Sequence, residues 1–370
     1  MNISKFLTKK DWINITYLFL ITRILVLFIS IVGYSIFPQR GEVFYRRTAV
    51  EAVQIENIWN KFDSPLYEKL ANEGYPNKPF NENDGGTWGF MPLYSMIIKG
   101  VSPIFANNNF ITGIVISNIF TYIALLFIYK LLKEKFGSEK KAIKLLLISA
   151  GSFYLSIIYS EGLFLLLTAL VFYFTHRKNY SLALFFAGLG AITRIQGGLL
   201  FIIPLLEIIF AYKWKFYKYI PIFLLSLIPL FCLMFYLQIT CGEPLAFIKI
   251  QTSWGSPQTY PLQGFLAFVK GTASMGAYLN TMFWIFFGYF IISKHKILPI
   301  SYIAFCIAFF LLSTSNETVY GTIRYTLPLI PLYIAASHST EREYNYYLLL
   351  NVMFLSIAVT AFVTSTPTLI

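Results

Sequence analysis

The chain has 370 residues, 57% of them hydrophobic, 19% aromatic and only 12% charged, a composition too apolar for a water-soluble protein of this size. Its net charge of +12 does not mark a nucleic-acid binder, because the basic residues fall in short clusters between apolar runs, as cytoplasmic loops do. Cys232, Cys241 and Cys306 show no paired spacing, and His176, His295 and His338 each close an apolar run. Neither a disulfide framework nor a histidine-built metal site is indicated. The class is therefore an all-α polytopic membrane protein, with residues 1–370 forming a single integral membrane domain.

Lys5, Lys9 and Lys10 precede an apolar run over 13–37, predicted as a first transmembrane helix with its N-terminus inside. The run is too long for a signal-peptide core and lacks a small-residue cleavage site, so it is expected to be retained. Arg23 lies within it and calls for a polar partner or a functional reason. Residues 38–109 are the longest interruption in the hydrophobic pattern and fall on the extracytoplasmic side. They hold eight of the 17 acidic residues, namely Glu42, Glu51, Glu56, Asp63, Glu68, Glu73, Glu82 and Asp84, beside Gly85, Gly86, Trp88 and Phe90. The aromatic content predicts short interfacial helices rather than disorder. Inside this loop, Ile58 to Tyr75 predicts a helix beginning just after Asp63, with Ser64 as N-cap, Pro65 at the first position and Gly74 at the exit. Asp63 then stands before the cap with its carboxylate available to a substrate. The alternative is that Asp63 caps the helix itself.

From Phe110 onward the apolar runs predict spans at about 110–129, 142–160, 162–175, 181–196, 197–212, 219–239, 273–292, 297–313, 325–337 and 346–365. Several fall short of the roughly 20 residues a full crossing needs, which predicts half-helices or re-entrant pairs. The lysine-rich stretch 130–144, His176 to Lys178, Lys213 to Lys218, Lys294 with Lys296, and Arg342 all fall on one side when these spans alternate. That side is the cytoplasm by the positive-inside rule. The opposite loops carry few charges, among them Glu161, Arg194, Lys249 and Arg324.

Charges so placed are functional candidates. Glu161 sits at an abrupt turn, either as a functional carboxylate or as a membrane-surface cap of the next helix. Thr193 to Gly198 interrupts a long apolar stretch, where Arg194 can fork onto a phosphate or snorkel to headgroups, and Gly197-Gly198 can let the backbone approach a ligand. Gly242 to Gly255, with Glu243, Gln251 and Trp254, is polar and aromatic, as sugar-facing surfaces and interfacial belts both are. Ser315 to Glu317 leads to Arg324 and Tyr325, with Arg324 either an anchor or a phosphate ligand.

Taken in order, Trp59, Phe62-Asp63, Tyr67, the Ala71-x-x-Gly74-Tyr75 run, Tyr159-Ser160-Glu161, Thr193-Arg194-x-x-Gly197, Pro244 to Phe247 with Gln251-x-x-Trp254-Gly255, and a late Arg324-Tyr325 form a set that resembles the PIG-V family. These are GPI mannosyltransferase 2 enzymes and their prokaryotic relatives, within the multi-spanning GT-C glycosyltransferases. Departures are Trp88 to Leu93, where the family has a run like F-F-P-L, and Lys61-Phe62-Asp63, where it has Trp before Asp. The resemblance implies a GT-C-type bundle of about eleven transmembrane helices with a long first extracytoplasmic loop. It implies transfer of a hexose, mannose first, from a polyprenyl-phosphate (dolichyl-phosphate-like) donor to a lipid or glycan acceptor, with inversion and with Asp63 as base. Glu161 would hold the acceptor or a metal, and Arg194, Arg324 and Lys249 the donor phosphate. Trp59, Tyr67, Tyr75, Gln196, Gln251, Trp254 and Tyr325 would line the substrate site. A divalent ion, Mg or Mn, on Asp63 and Glu161 is an option ranked below a metal-free site. The expected location is the bacterial plasma membrane with the site extracytoplasmic, or the endoplasmic reticulum in a eukaryote. The competing classes are a transporter or flippase of lipid-linked sugars and a non-catalytic glycolipid-binding membrane subunit.

Overall fold

The computed structural model describes residues 7–40, 54–254, 260–271, 275–315 and 321–366. Expectations attached to Glu42, Glu51, Gly255, Asn316 and Glu317 fall outside those residues, as does the side chain of Trp254. The described residues are mainly helical, without strands. They run α1 Lys9–Ile36, α2 Ile55–Trp59, α3 Ser64–Glu73, α4 Pro92–Val101, α5 Asn109–Lys135, α6 Glu139–Ile148, α7 Glu161–His176, α8 Tyr180–Ala191, α9 Ile202–Tyr212, α10 Ile220–Cys241, α11 Ala246–Lys249, α12 Gln263–Val269, α13 Met275–Ser293, α14 Ile300–Ser313, α15 Thr322–Tyr325, α16 Ile330–Ser337 and α17 Glu341–Val363. Short 3₁₀ turns occupy Thr87–Gly89, Ser102–Phe105, Ser152–Leu155, Ile195–Phe201, Lys213–Tyr219 and Ile250–Trp254.

Among the described residues, four helical stretches are long and apolar enough to cross a membrane: Lys9–Ile36, Asn109–Lys135, Ile195–Cys241 and Glu341–Val363. Shorter apolar helices, Glu161–His176, Tyr180–Ala191, Asn280–Ser293 and Ile300–Ser313, stand between them. Together they define an integral membrane protein. The segment 142–160, expected as one span, is instead the ten-residue α6 followed by a 3₁₀ turn and irregular backbone up to Ser160. Its physical cause is the Ser149-Ala150-Gly151-Ser152 run. The Ser149 hydroxyl donates back to the Leu146 carbonyl, a local bond that competes with helix propagation. Gly151 is then pressed against the backbone of α15, where a Cβ would lie 2.1 Å from the Ile323 carbonyl oxygen. Likewise 325–337 is not one helix, since α15 ends at Tyr325 and α16 starts at Ile330, with Pro331 in its first turn.

Helix α7 is the hub. It is buried along nearly its whole length and packs on α5 and α8, while α8 packs on α10. Gly162 and Gly188 let backbones meet, their missing Cβ atoms standing 2.6 and 2.1 Å from the carbonyl oxygens of Ser117 and Ser226. Such small-residue contacts replace the hydrophobic drive that lipid does not supply. The pair Gly197-Gly198, expected to approach a ligand, divides its roles. A Cβ on Gly197 would fall 1.8 Å from the Gly190 oxygen, whereas Gly198 faces open space. Gly197 therefore serves the fold of the hairpin between α8 and the following 3₁₀ turn. Arg23, in mid-α1, has no carboxylate partner among the described residues. Its Nη1 donates to the Ser156 hydroxyl at 2.5 Å and the Ser152 carbonyl at 3.4 Å, tying α1 to the irregular segment after α6.

Candidate active site

The described part of the loop between α1 and α5 forms the short helices its aromatics predicted. Helix α3 begins at Ser64, so Ser64 is the first helical residue, Pro65 the second, and Asp63 occupies the cap position. Both sequence readings of Asp63 hold in part. Its backbone oxygen receives the amides of Leu66 and Tyr67, at 3.0 and 3.1 Å, but its carboxylate caps nothing. The side chain is left for tertiary use. Gly74, at φ 75°, closes the helix and donates its amide to Leu70.

That use is an ion-pair chain assembled from four separate segments. Arg324 Nη1 donates to Asp63 Oδ2 at 2.6 Å, joining α15 to the first turn of α3. Arg194 Nη1, in the turn after α8, donates to Glu161 Oε1 at 2.6 Å. Arg324 Nε stands 3.9 Å from that same Glu161 oxygen, so one guanidinium touches both carboxylates. Asp63 and Glu161 therefore share one site although 98 residues apart in sequence. Glu161 opens α7 but its side chain is only 3% exposed, so it does not mark the membrane surface. Each arginine pairs with an acid from a distant segment.

Exposure separates the two acids. Asp63 is 32% exposed, whereas Glu161 is sealed, and its Oε2 and Arg324 Nε are both buried without a hydrogen-bond partner among the described residues. Aromatic hydroxyls frame the pair. The Asp63 amide donates to Tyr159 Oη at 3.1 Å. Tyr67 Oη and Ser160 Oγ are hydrogen-bonded at 2.8 Å, and Ser160 Oγ also receives Arg194 Nη1 at 3.2 Å. Arg324 lies over the rings of Tyr154 and Tyr159, 5.3 and 5.6 Å from their centroids. Burial pushes ionisation of the Tyr67 hydroxyl well above the usual phenol range, with the Glu161 charge adding to it. Tyr67 is accordingly a neutral hydrogen-bonding group, not a base.

These residues enclose a small polar pocket of about 90 Å³, lined in part by Asp63, Tyr67, Arg194, Gln196, Gln251, Arg324 and Tyr325. Beside it lies an apolar groove of about 470 Å³ between α3, α4 and α10, with Tyr75, Met96, Lys99, Cys232 and Tyr236 in its walls. The two are contiguous in sequence: Met91 and Thr193 line the pocket, and Pro92 and Ile192 the groove.

Of the residues singled out from sequence, Asp63, Tyr67, Glu161, Arg194, Gln196, Gln251, Arg324 and Tyr325 converge here. Three do not. Trp59 is buried against α1, where its Nε1 donates to Ser30 Oγ at 3.0 Å. Tyr75 donates to the Phe90 carbonyl at 2.6 Å and faces the groove. Lys249 pairs with Glu243 outside the pocket lining, and that hydrogen bond holds the Glu243 carboxyl below its usual range. Sequence reasoning missed Tyr159 and Ser160, although they stand beside Glu161 in the motif. It also missed Gly89, Phe90 and Met91, which line the pocket and lie in the stretch where this chain departs from the PIG-V pattern.

The all-helical, multi-spanning fold has a counterpart among solved structures. The structure is similar to the crystal structure of ArnT from Cupriavidus metallidurans bound to undecaprenyl phosphate, with a TM-score of 0.52 and 11% sequence identity, over 94% of this chain and 76% of that one. No family profile matches the sequence, and neither does any curated protein.

Proposed function

We propose that the protein is a polyprenyl-phosphate-dependent glycosyltransferase that moves a hexose, mannose by its PIG-V-like motifs, onto a lipid or glycan acceptor at the extracytoplasmic face, with inversion. One observation carries the reading: a partly open carboxylate, Asp63, paired with an arginine in a polar pocket that adjoins an apolar groove. ArnT, whose fold this chain shares, is a protein crystallised with undecaprenyl phosphate. A carrier of that class has an anionic head and an isoprenoid tail, which match the arginine-lined pocket and the groove.

In the proposed reaction Asp63 accepts the proton of the acceptor hydroxyl as its oxygen bonds to the anomeric carbon. The bond from that carbon to the phosphate oxygen breaks, and the phosphate leaves with the electron pair. Arg194 and Arg324 offset the charge that develops on it. Glu161 is too enclosed to reach an acceptor, so the base falls to Asp63. A divalent ion on Asp63 and Glu161 does not fit this donor set. Both carboxylates already face guanidinium groups, and among the described residues no third His, Cys, Asp or Glu joins them.

The test is incubation of the purified protein with radiolabelled polyprenyl-phosphate mannose and a membrane lipid extract, followed by identification of the labelled product. Asp63→Asn should lower transfer by orders of magnitude in a folded protein. Undiminished transfer by that variant, or no transfer by the wild type from any polyprenyl-phosphate hexose, would refute the reading.

A further inference from the structure

In its present arrangement the site is not ready to react. The polar pocket around Asp63 is small, about 90 Å³. The base is also engaged, since Arg324 holds Asp63 Oδ2 at 2.6 Å. A carboxylate that is to take a proton must first be released from such a partner.

The place to which Arg324 can move already exists. Its Nε is buried and unbonded, 3.9 Å from Glu161 Oε1, and Glu161 Oε2 is likewise buried and unbonded. Unpaired buried polar atoms are costly, and a small shift of Arg324 toward Glu161 would satisfy both. What opposes it is the like charge of Arg194, whose Nη1 bonds Glu161 Oε1 at 2.6 Å and already neutralises that carboxylate.

Resting on the donor reading above, we propose that Glu161 is a positioning residue that couples donor binding to activation of Asp63. The donor phosphate draws Arg194 away from Glu161, Arg324 moves from Asp63 to Glu161, and Asp63 is freed to accept the acceptor's proton. Base activation thus follows donor binding, and Glu161 acts through the two arginines instead of touching the sugar. The charge balance favours this exchange. Two acids and two arginines balance before the donor arrives, and the added phosphate anion leaves Asp63 as the carboxylate without a cation.

The coupling predicts opposite effects on binding and turnover. The probe is a short-chain polyprenyl phosphate titrated into detergent-purified full-length protein, read by native mass spectrometry, alongside transfer from polyprenyl-phosphate mannose. Asp63→Asn releases Arg324 without a binding cost, so polyprenyl phosphate should bind about tenfold more tightly, the low end of coupling for a close charge pair. Glu161→Gln removes the seat for Arg324. It should bind the probe at least as well as wild type while losing at least about tenfold in kcat. A Glu161 that merely supported the fold would weaken probe binding and lower thermal stability, with no split between KM and kcat. The coupling is overturned if Asp63→Asn binds the probe no more tightly than wild type, or if Glu161→Gln keeps wild-type kcat. A wild type that neither binds the probe nor transfers sugar overturns the donor reading itself, a result distinct from either of those.

Discussion

Gly151→Ala tests how tightly the broken segment after α6 sets the position of Arg324. The backbone of Gly151 has φ −89° and ψ 0°, which alanine adopts freely, so any effect is steric and not conformational. The added methyl would stand 2.1 Å from the Ile323 oxygen, and real Cβ contacts essentially never fall below 3.0 Å. Relief therefore requires a displacement of about 0.9 Å, the difference of those distances, borne by backbone on both sides. Overpacking of this kind costs about 1–3 kcal/mol. Arg324 is the next residue along, and its 2.6 Å bond to Asp63 would lengthen by a comparable amount. Misplacement by ~1 Å can cost about 10² in rate. The assay is a thermal melt of the purified protein together with transfer kinetics from polyprenyl-phosphate mannose. The expected result is a modest loss of stability with a larger loss of kcat. Wild-type stability and wild-type turnover together would refute the argument that this contact positions Arg324.

Other perturbations reach the remaining parts of the site. Asp63→Asn should lower turnover by about 10² to 10⁴, the usual worth of a general base, measured in single-turnover transfer. Arg194→Gln removes the nearer partner of the buried Glu161 and leaves Arg324 to take its place, so it should cost less in denaturation than the about 3–5 kcal/mol of a buried acid left unpaired; Arg194→Lys should restore stability more than donor KM, because lysine keeps the charge and loses the fork. Cys232, exposed in the wall of the groove, should react with an apolar thiol reagent, and a polyprenyl phosphate should protect it; equal labelling with and without the lipid would place the chain elsewhere. In a background lacking native cysteines, Asn81→Cys should label with an impermeant thiol reagent in intact cells and Lys140→Cys should not, with the reverse pattern overturning the proposed orientation.

What the sequence determined by itself follows from local and one-dimensional physics. Apolar runs and lysine-rich breaks fix a helical membrane protein, because a bilayer admits few other backbones and long apolar helices can be read by length. Caps and breakers locate α3, since Pro65 and Gly74 act on their own backbone. The same kind of reading placed Asp63, Glu161, Arg194 and Arg324 among the candidates, as charges in apolar surroundings that demanded partners. It could not name those partners. Asp63 and Arg324 lie 261 residues apart, and ion pairing over such a separation leaves no periodicity in the chain. Nor could it assign Gly197 to a hairpin and Gly151 to a close backbone contact, because a glycine's neighbour is a tertiary fact. Tyr75 and Trp59 looked like sugar-facing aromatics for the same reason, until packing turned one toward a groove and the other onto α1. Only the meeting of α3, the start of α7, the turn after α8 and α15 decided which acid is exposed, which is sealed, and which arginine spans both.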